Sequence, residues 1–217
     1  VFLTEAMNVV NERKRPYIVM EGMSDRFMAT YKRPFEAKDI KVVMYAGGLH
    51  ERYGLKKLTE AFMMLPQENF RLKLFGSGPF VEKLKTKYTK KDSRIQYMGV
   101  APNAEVVAAE LDASLLVNPR PTHEEFTKYS FPSKNIEYMA SGTPLLTTKL
   151  PGMPKEYYPY VFLIENESVE GYAKALERVL AQSDEELYVF GEKAKDFVLE
   201  KKNSFEQAKR VIELIKL

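Results

Sequence analysis

The stretch Lys41–Leu65, KVVMYAGGLHERYGLKKLTEAFMML, reads as a strand, a turn and a helix in immediate succession. Val42 to Ala46 form an unbroken apolar run, too continuous for a strand with one wet face. Gly47-Gly48 ends it. Beyond Gly54, the residues Leu55, Leu58, Ala61, Phe62 and Leu65 recur at the spacing of one buried helix face. A strand apolar on both sides, followed by an amphipathic helix, is the repeating unit of a parallel sheet covered on both faces.

The alternation continues outward. Arg71–Phe75 (RLKLF) is an expected strand stopped by GSGP, and Pro79 stands at the first turn of an expected helix, FVEKLKTKY. Strands are expected at Ile95–Met98, ended by Gly99, and at Ser114–Val117, ended by Asn118-Pro119, with the helix Ala104–Glu110 between them. A helix over Pro132–Ala140 stops at Ser141-Gly142, and strands follow at Leu145–Thr148 and Val161–Ile164. The remainder reads as helices over Val169–Ala181, Asp184–Lys201 and Ser204–Ile215, with Ser168, Ser183 and Ser204 as expected N-caps. Ser130 or Ser133 is the expected cap of the helix near Pro132. Upstream, Tyr17–Glu21 (YIVME), closed by Gly22, is expected to be a strand, and the opening VFLTEAMNVV reads as the interior of a longer chain. The fold expected is α/β, a Rossmann-like doubly wound parallel sheet with closing C-terminal helices.

Composition narrows the chemistry. Thirty-three basic and 30 acidic residues leave a net charge of +3 with the signs interspersed, so no nucleic-acid partner is expected. The absence of cysteine excludes a disulfide framework, a thiolate nucleophile and a cysteine-based zinc site. His50 and His123 are too few and too distant for a histidine-rich metal cluster, and no metal is expected. No apolar run approaches the roughly 20 residues of a membrane span.

In a doubly wound sheet the ligand sits outside the carboxyl ends of the strands. The loop at residues 46–54, AGGLHERYG, fits neither GxGxxG nor the P-loop pattern, but Gly47 and Gly48 permit close backbone approach to an anion. A tight turn without ligand fits the same residues. Gly99 could present backbone groups to a base. The long loop at residues 118–134, NPRPTHEEFTKYSFPSK, carries Arg120, Lys128 and Lys134 with Tyr129 and Phe131 between them, and Ser133 at the start of the next helix. Such a loop could bind a pyrophosphate through cations and helix-start amides, or be an ordinary solvated loop. Glu137, one turn into the helix, could accept from vicinal hydroxyls of a ribose, or merely favour the helix N-terminus.

FPSKNIEYMASGTPLLTTKLPG, residues 131–152, resembles the donor-domain signature of the GT-B retaining glycosyltransferases of family 4, the group 1 transferases. In the same order, VMEGMSDRF resembles that family's interdomain segment and YAGGLHERYGLKKLTEAF its first loop and helix. FRLKLFGSGP is similar to its second strand and turn, and IQYMGVAPNAEVVAAELDASLLVNP to its base-side segment. The resemblance implies two domains, with acceptor bound by an N-terminal one missing here. Residues 1–30 would close that domain and connect it, and residues 31–217 would form the C-terminal nucleotide-sugar-binding domain. By the same resemblance Glu137 matches the acid that binds the ribose, and Gly47 and Gly48 match the diphosphate loop. Tyr129 stands where the family's sugar-binding acid is expected, so Glu124 or Glu125 would have to fold inward to replace it. Gly48 and Tyr53 stand where the family commonly has cations, so Arg52, Arg120 or Lys134 must supply the charge.

The implied activity is transfer of a hexose from a UDP- or GDP-sugar with retained configuration, in polysaccharide, capsule or glycolipid assembly. The resemblance implies no metal and no cofactor beyond the donor, a fragment inactive alone, and a cytoplasmic protein peripheral to the inner membrane face. The alternatives are a GT-B-like sugar-nucleotide epimerase and a non-catalytic nucleotide-binding module.

Overall fold

A computed structural model describes residues 1–216. Strand β1 (Lys41–Ala46) leads through Gly54 into helix α1 (Leu55–Met63), and strand β2 (Phe70–Phe75) follows. After Pro79 the chain is helical but not uniformly so. Helix α2 (Phe80–Lys83) runs into a wider π turn, Leu84–Tyr88, and then α3 (Thr89–Lys91). That turn brings Phe80, Leu84 and Tyr88, spaced four apart, to the buried side, where the Tyr88 hydroxyl donates to Glu60 at 2.8 Å.

Next come β3 (Ile95–Gly99), α4 (Asn103–Asp112), β4 (Leu115–Asn118), α5 (Ser133–Ser141), β5 (Leu145–Thr148) and β6 (Phe162–Ile164). Helices α6 (Val169–Leu180), α7 (Asp184–Lys201) and α8 (Ser204–Ile215) complete the described chain. The six strands form one sheet in the order β3-β2-β1-β4-β5-β6, and every neighbouring pair is parallel. This is the Rossmann-like doubly wound architecture. The crossover point lies between β1 and β4, where successive connections turn to opposite sides of the sheet.

Burial on both faces explains the apolar runs. From β1, Val43 and Tyr45 enter a core with Leu58 and Phe62 of α1 and Leu176 and Val179 of α6. Val42, Met44 and Ala46 enter the opposite core, with Ile136 and Met139 of α5 and Ala194 and Val198 of α7. Among the described residues no helix is long and apolar enough to cross a membrane.

Three local expectations are corrected. Tyr17–Glu21 is not a strand: it makes one isolated bridge, Val19 with Phe2, because no sheet edge lies beside it. Side chains from the C-terminal helices hold it instead, with Arg210 donating to the Val19 carbonyl at 2.9 Å and Gln207 to that of Gly22 at 3.0 Å. Ser168 and Ser183 do cap α6 and α7, but α8 is capped by Asn203, whose Oδ1 accepts from Phe205 N and Glu206 N. Neither Ser130 nor Ser133 caps α5, since the chain enters that helix from Pro132 and the Ser130 hydroxyl is spent on the Phe126 carbonyl at 2.9 Å.

The first described residues are tied to the helical closure by a buried charge. Lys202, just beyond α7, pairs with Glu21 at 2.5 Å and with Glu156 at 2.6 Å, and both Lys202 and Glu21 are almost fully buried. The Tyr157 hydroxyl also donates to Glu21, at 2.6 Å. Removing one partner strands the other charge in a dry site. Lys202→Met is therefore expected to lower unfolding free energy by about 3–5 kcal/mol, measured by urea denaturation, with Glu21→Gln in the same chain restoring part of the loss.

Candidate functional site

Three glycine-bearing strand ends make a floor. The hydrogen-bond ladder continues past the strands themselves: Gly47 N–H donates to Phe75 at 2.9 Å, Gly76 N–H to Gly99 at 2.7 Å and Leu49 N–H to Ser77 at 2.8 Å. The backbones approach so closely that a Cβ on Gly76, which has φ of +122°, would stand 1.9 Å from the Gly47 carbonyl oxygen. Both the left-handed backbone and the contact require glycine there. Gly99 closes the row with φ of +78° and open space around it.

Helix α5 is brought over this floor by one hydroxyl. Tyr138, fully buried, accepts from Ala46 N–H at 2.8 Å and donates to Ala46 C=O at 3.1 Å, pinning the helix to the last residue of β1. The Asn118 side chain donates to that of Asn135 at 2.6 Å and ties the helix start to the end of β4. No side chain caps α5: Asn135 N–H donates to the Pro132 carbonyl at 3.0 Å, and Ser133 at the helix start is exposed. Lys134 then lies against Gly47: a Cβ on that glycine would fall 2.3 Å from the lysine Cε and 2.5 Å from its Nζ. The same ammonium stands 5.9 Å from the centre of the Tyr45 ring.

Arg120 reaches the same region from the loop after β4. Its guanidinium sits 5.0 Å from the ring centre of Tyr53 and 5.4 Å from that of Phe126. Its own carbonyl accepts from Thr148, and that of Pro119 accepts from Tyr172 at 2.8 Å. Burial lowers the Arg120 pKa, and nearby Tyr45 and Tyr53 partly offset this. Its Nε is buried without a partner. Burial likewise pushes the Tyr45 hydroxyl up to about 12, while Arg120 pulls it the other way. Arg52 is exposed beside them, with its guanidinium 5.2 Å from the centre of the Tyr53 ring. Gly48 packs against the rings of His50 and Tyr53.

On the other side of Gly47 lies a cleft of about 200 Å³, lined in part by Gly47, Gly76, Val100, Glu110, Lys134 and Glu137. A larger hollow of about 870 Å³, between residues 8–18 and α8, is remote from the strand ends. The structure thus gathers Gly47, Gly48, Arg52, Arg120, Lys134 and Glu137 around the end of β1. Gly99 immediately precedes Val100 of the cleft wall but does not line the cleft itself, and Ser133 is exposed at the start of α5. Tyr129 is 41% exposed at the end of a short 3₁₀ turn, Glu125–Lys128. The two acids that could have replaced it do not turn inward, since Glu125 is exposed and Glu124 faces His123 at 3.8 Å.

Glu110 escaped the sequence reading. It is 1% exposed, its Oε2 has no partner, and burial first and Glu137 second push its carboxyl up to about 8, with Lys134 acting in the opposite sense. A signal was present. Asn103, Val106 and Glu110 fall on one stripe of α4, and all line the cleft.

A model of the family described as glycosyl transferases group 1 matches residues 29–216. The putative colanic acid biosynthesis glycosyltransferase WcaL of Escherichia coli (strain K12) is 30% identical over 112 residues, 49% of this chain and 27% of that protein. Sucrose-phosphate synthase from Thermosynechococcus elongatus superposes with a TM-score of 0.75 at 19% identity, covering 99% of this chain and 57% of that one. Anabaena HepE, solved in complex with UDP and glucose, gives a TM-score of 0.65 at 16% identity over 82% of this chain and 48% of its own. The chain therefore spans less than two thirds of the length of these relatives. It belongs to the glycosyl transferases group 1, and its α/β, Rossmann-like fold matches that of GT-B glycosyltransferases.

Two substitutions test the geometry. Tyr138→Phe deprives Ala46 of both hydroxyl bonds and is expected to cost about 1–3 kcal/mol in denaturant titration. Gly76→Ala drives a methyl into the Gly47 carbonyl and is expected to cost more than about 1 kcal/mol by the same measurement.

Proposed function

We propose that this group 1 glycosyltransferase domain holds a nucleoside diphosphate sugar at the carboxyl ends of β1 to β4 and supplies the donor side of a hexosyl transfer. One observation carries the reading: Lys134 closes on Gly47, with Arg120 and Arg52 grouped around Tyr53 on the other side of the Gly47-Gly48 loop, at the crossover point of the sheet. Three cations and an uncapped helix start facing a glycine turn suit a diphosphate. As the glycosidic bond breaks, negative charge grows on the departing diphosphate, and donors already in place stabilise it without reorganising. In this reading the protein's own cations neutralise that charge and no metal is needed.

Glu137, in the adjoining cleft, accepts from the ribose hydroxyls, and the base lies toward Gly99 and Val100. The UDP in the HepE structure supports a uridine nucleotide, and the colanic acid role in the printed name of WcaL supports polysaccharide assembly. Anomeric retention and a cytoplasmic location peripheral to the membrane follow from the family resemblance. The share of each relative that the chain covers supports assigning acceptor binding to a further domain. A second reading, a nucleotide-binding module without catalysis, is favoured by Tyr129, which stands exposed where the sugar-binding acid is expected.

Calorimetry with UDP, GDP and ADP tests the proposal. UDP or GDP is expected to bind, and replacing Arg120 or Lys134 with Ala should weaken binding about 10- to 100-fold, the worth of one charge-assisted contact. Affinity indifferent to both substitutions would remove the diphosphate from this place. In a full-length protein, Glu137→Ala should reduce both transfer and nucleotide affinity for the transferase. Unchanged transfer would favour the second reading.

A further inference from the structure

The cleft holds two acids, and the proposed function uses only one. Glu110 and Glu137 come from different helices, α4 and α5, and line the same cleft of about 200 Å³ as Lys134, which also lies against Gly47. Glu110 is the deepest of the α4 stripe: Asn103 is exposed, Val106 half-buried and Glu110 1% exposed. Its backbone position is fixed from behind, since the Thr143 hydroxyl donates to the Glu110 carbonyl at 2.7 Å. Arg33 anchors the end of the same helix by donating to the carbonyls of Leu111 at 3.3 Å and Ala113 at 3.1 Å. The helix end that carries Glu110 is thus held in place, and among the described residues its carboxyl Oε2 has no partner. A buried carboxyl oxygen left unmatched is costly, and such groups are ordinarily satisfied by a neighbour or a ligand.

We propose that Glu110 is a positioning residue of the donor cleft, a proton-carrying acid that shares the space with Glu137 and, by staying neutral, keeps a second negative charge out of the nucleotide's surroundings. This rests on the nucleotide reading above. A neutral carboxyl offers one O–H donor to a ligand in the cleft, whereas an ionised carboxylate only accepts. Two carboxylates sharing a site cannot both ionise cheaply, and the more deeply buried member keeps the proton.

The surroundings agree with this assignment. The charged groups that act on Glu110 are Glu137 and Lys134 of α5, and the Tyr138 hydroxyl of the same helix stands close enough to feel it. The ends of β1 and β2 contribute Ala46, Gly47, Phe75 and Gly76, which carry no titratable side chain. Lys134 is directed to the Gly47 loop and, among the described residues that line the cleft, offers the single positive charge. With Glu110 neutral, Lys134 and Glu137 balance. With Glu110 ionised, the cleft turns negative beside a diphosphate that is itself negative.

The sign of the pH dependence follows. Burial first and Glu137 second push the Glu110 carboxyl up to about 8, so nucleotide affinity should hold through neutral pH and fall on the alkaline side. If only the neutral form binds, the dissociation constant rises about tenfold per pH unit beyond that point.

The experiment has two arms. In the first, the carboxyl carbon of Glu110 is titrated by NMR in the chain without ligand, assigned by its loss in Glu110→Gln. A midpoint near 8 is expected, and one in the ordinary carboxylate range overturns the proposal. In the second, UDP and GDP binding is followed by calorimetry between pH 6.5 and 9.5, a window of about three units around that midpoint. Wild type should lose affinity on the alkaline side. Glu110→Gln, which keeps a neutral donor, should match wild type at neutral pH and stay flat, and Glu110→Leu should bind more weakly throughout. Identical pH profiles for wild type and Glu110→Gln overturn the positioning role even if the carbon titrates high. Binding of neither nucleotide at any pH overturns the nucleotide reading instead, and the carbon titration, made without ligand, still decides whether Glu110 keeps its proton.

Discussion

The site depends on a close approach of two backbones. The turn after β2 presses against the turn after β1, leaving no room between Gly76 and the Gly47 carbonyl for a single methyl group. Because the turns stay bonded beyond the strands, through Gly47 to Phe75 and Gly76 to Gly99, the strand ends form a continuous surface. A larger residue at Gly76 would push the two loops apart and break that surface. Everything else at the site is placed relative to it: the Tyr138 hydroxyl sets α5 on Ala46, and Lys134 then covers Gly47.

Charge is distributed unevenly across this surface. Arg120 and Arg52 gather around Tyr53 on one side of the Gly47-Gly48 loop, and Glu110 and Glu137 occupy the cleft on the other. Lys134 belongs to both sides, near the Tyr45 ring and in the cleft wall. The division matches a ligand with an anionic part and a hydroxyl-rich part joined by a short link. Aromatic rings rather than carboxylates hold Arg120, so its charge is not already neutralised by the protein. This keeps an arginine available to an incoming anion.

Much of the sheet was legible because its central strands, β1, β4 and β5, are buried on both faces. Continuous apolar runs such as KVVMYA and SLLV, each ended by Gly or Asn-Pro, leave little choice of element or order. YIVME has the same composition and is not a strand, since a strand needs a neighbour's backbone as well as apolar side chains. Helix caps were partly legible: Ser183 with Glu186 makes a reciprocal box, whereas Asn203 displaced the adjacent Ser204 by a single position.

The candidate site was legible where it follows directly from a strand end, as at Gly47, Gly48 and Gly99, or from a helix start, as at Lys134 and Glu137. Local sequence determined the α/β alternation, the glycine turns and the family, because these depend on neighbours within a few residues. Tertiary structure alone decided that Arg120 lies against both Tyr53 and Phe126, that Glu125 stays in solvent, and that Glu110 and Glu137 line one cleft. Those outcomes depend on the desolvation and mutual field of groups far apart in the chain, which come together only when α4 and α5 pack beside the ends of β1 and β2.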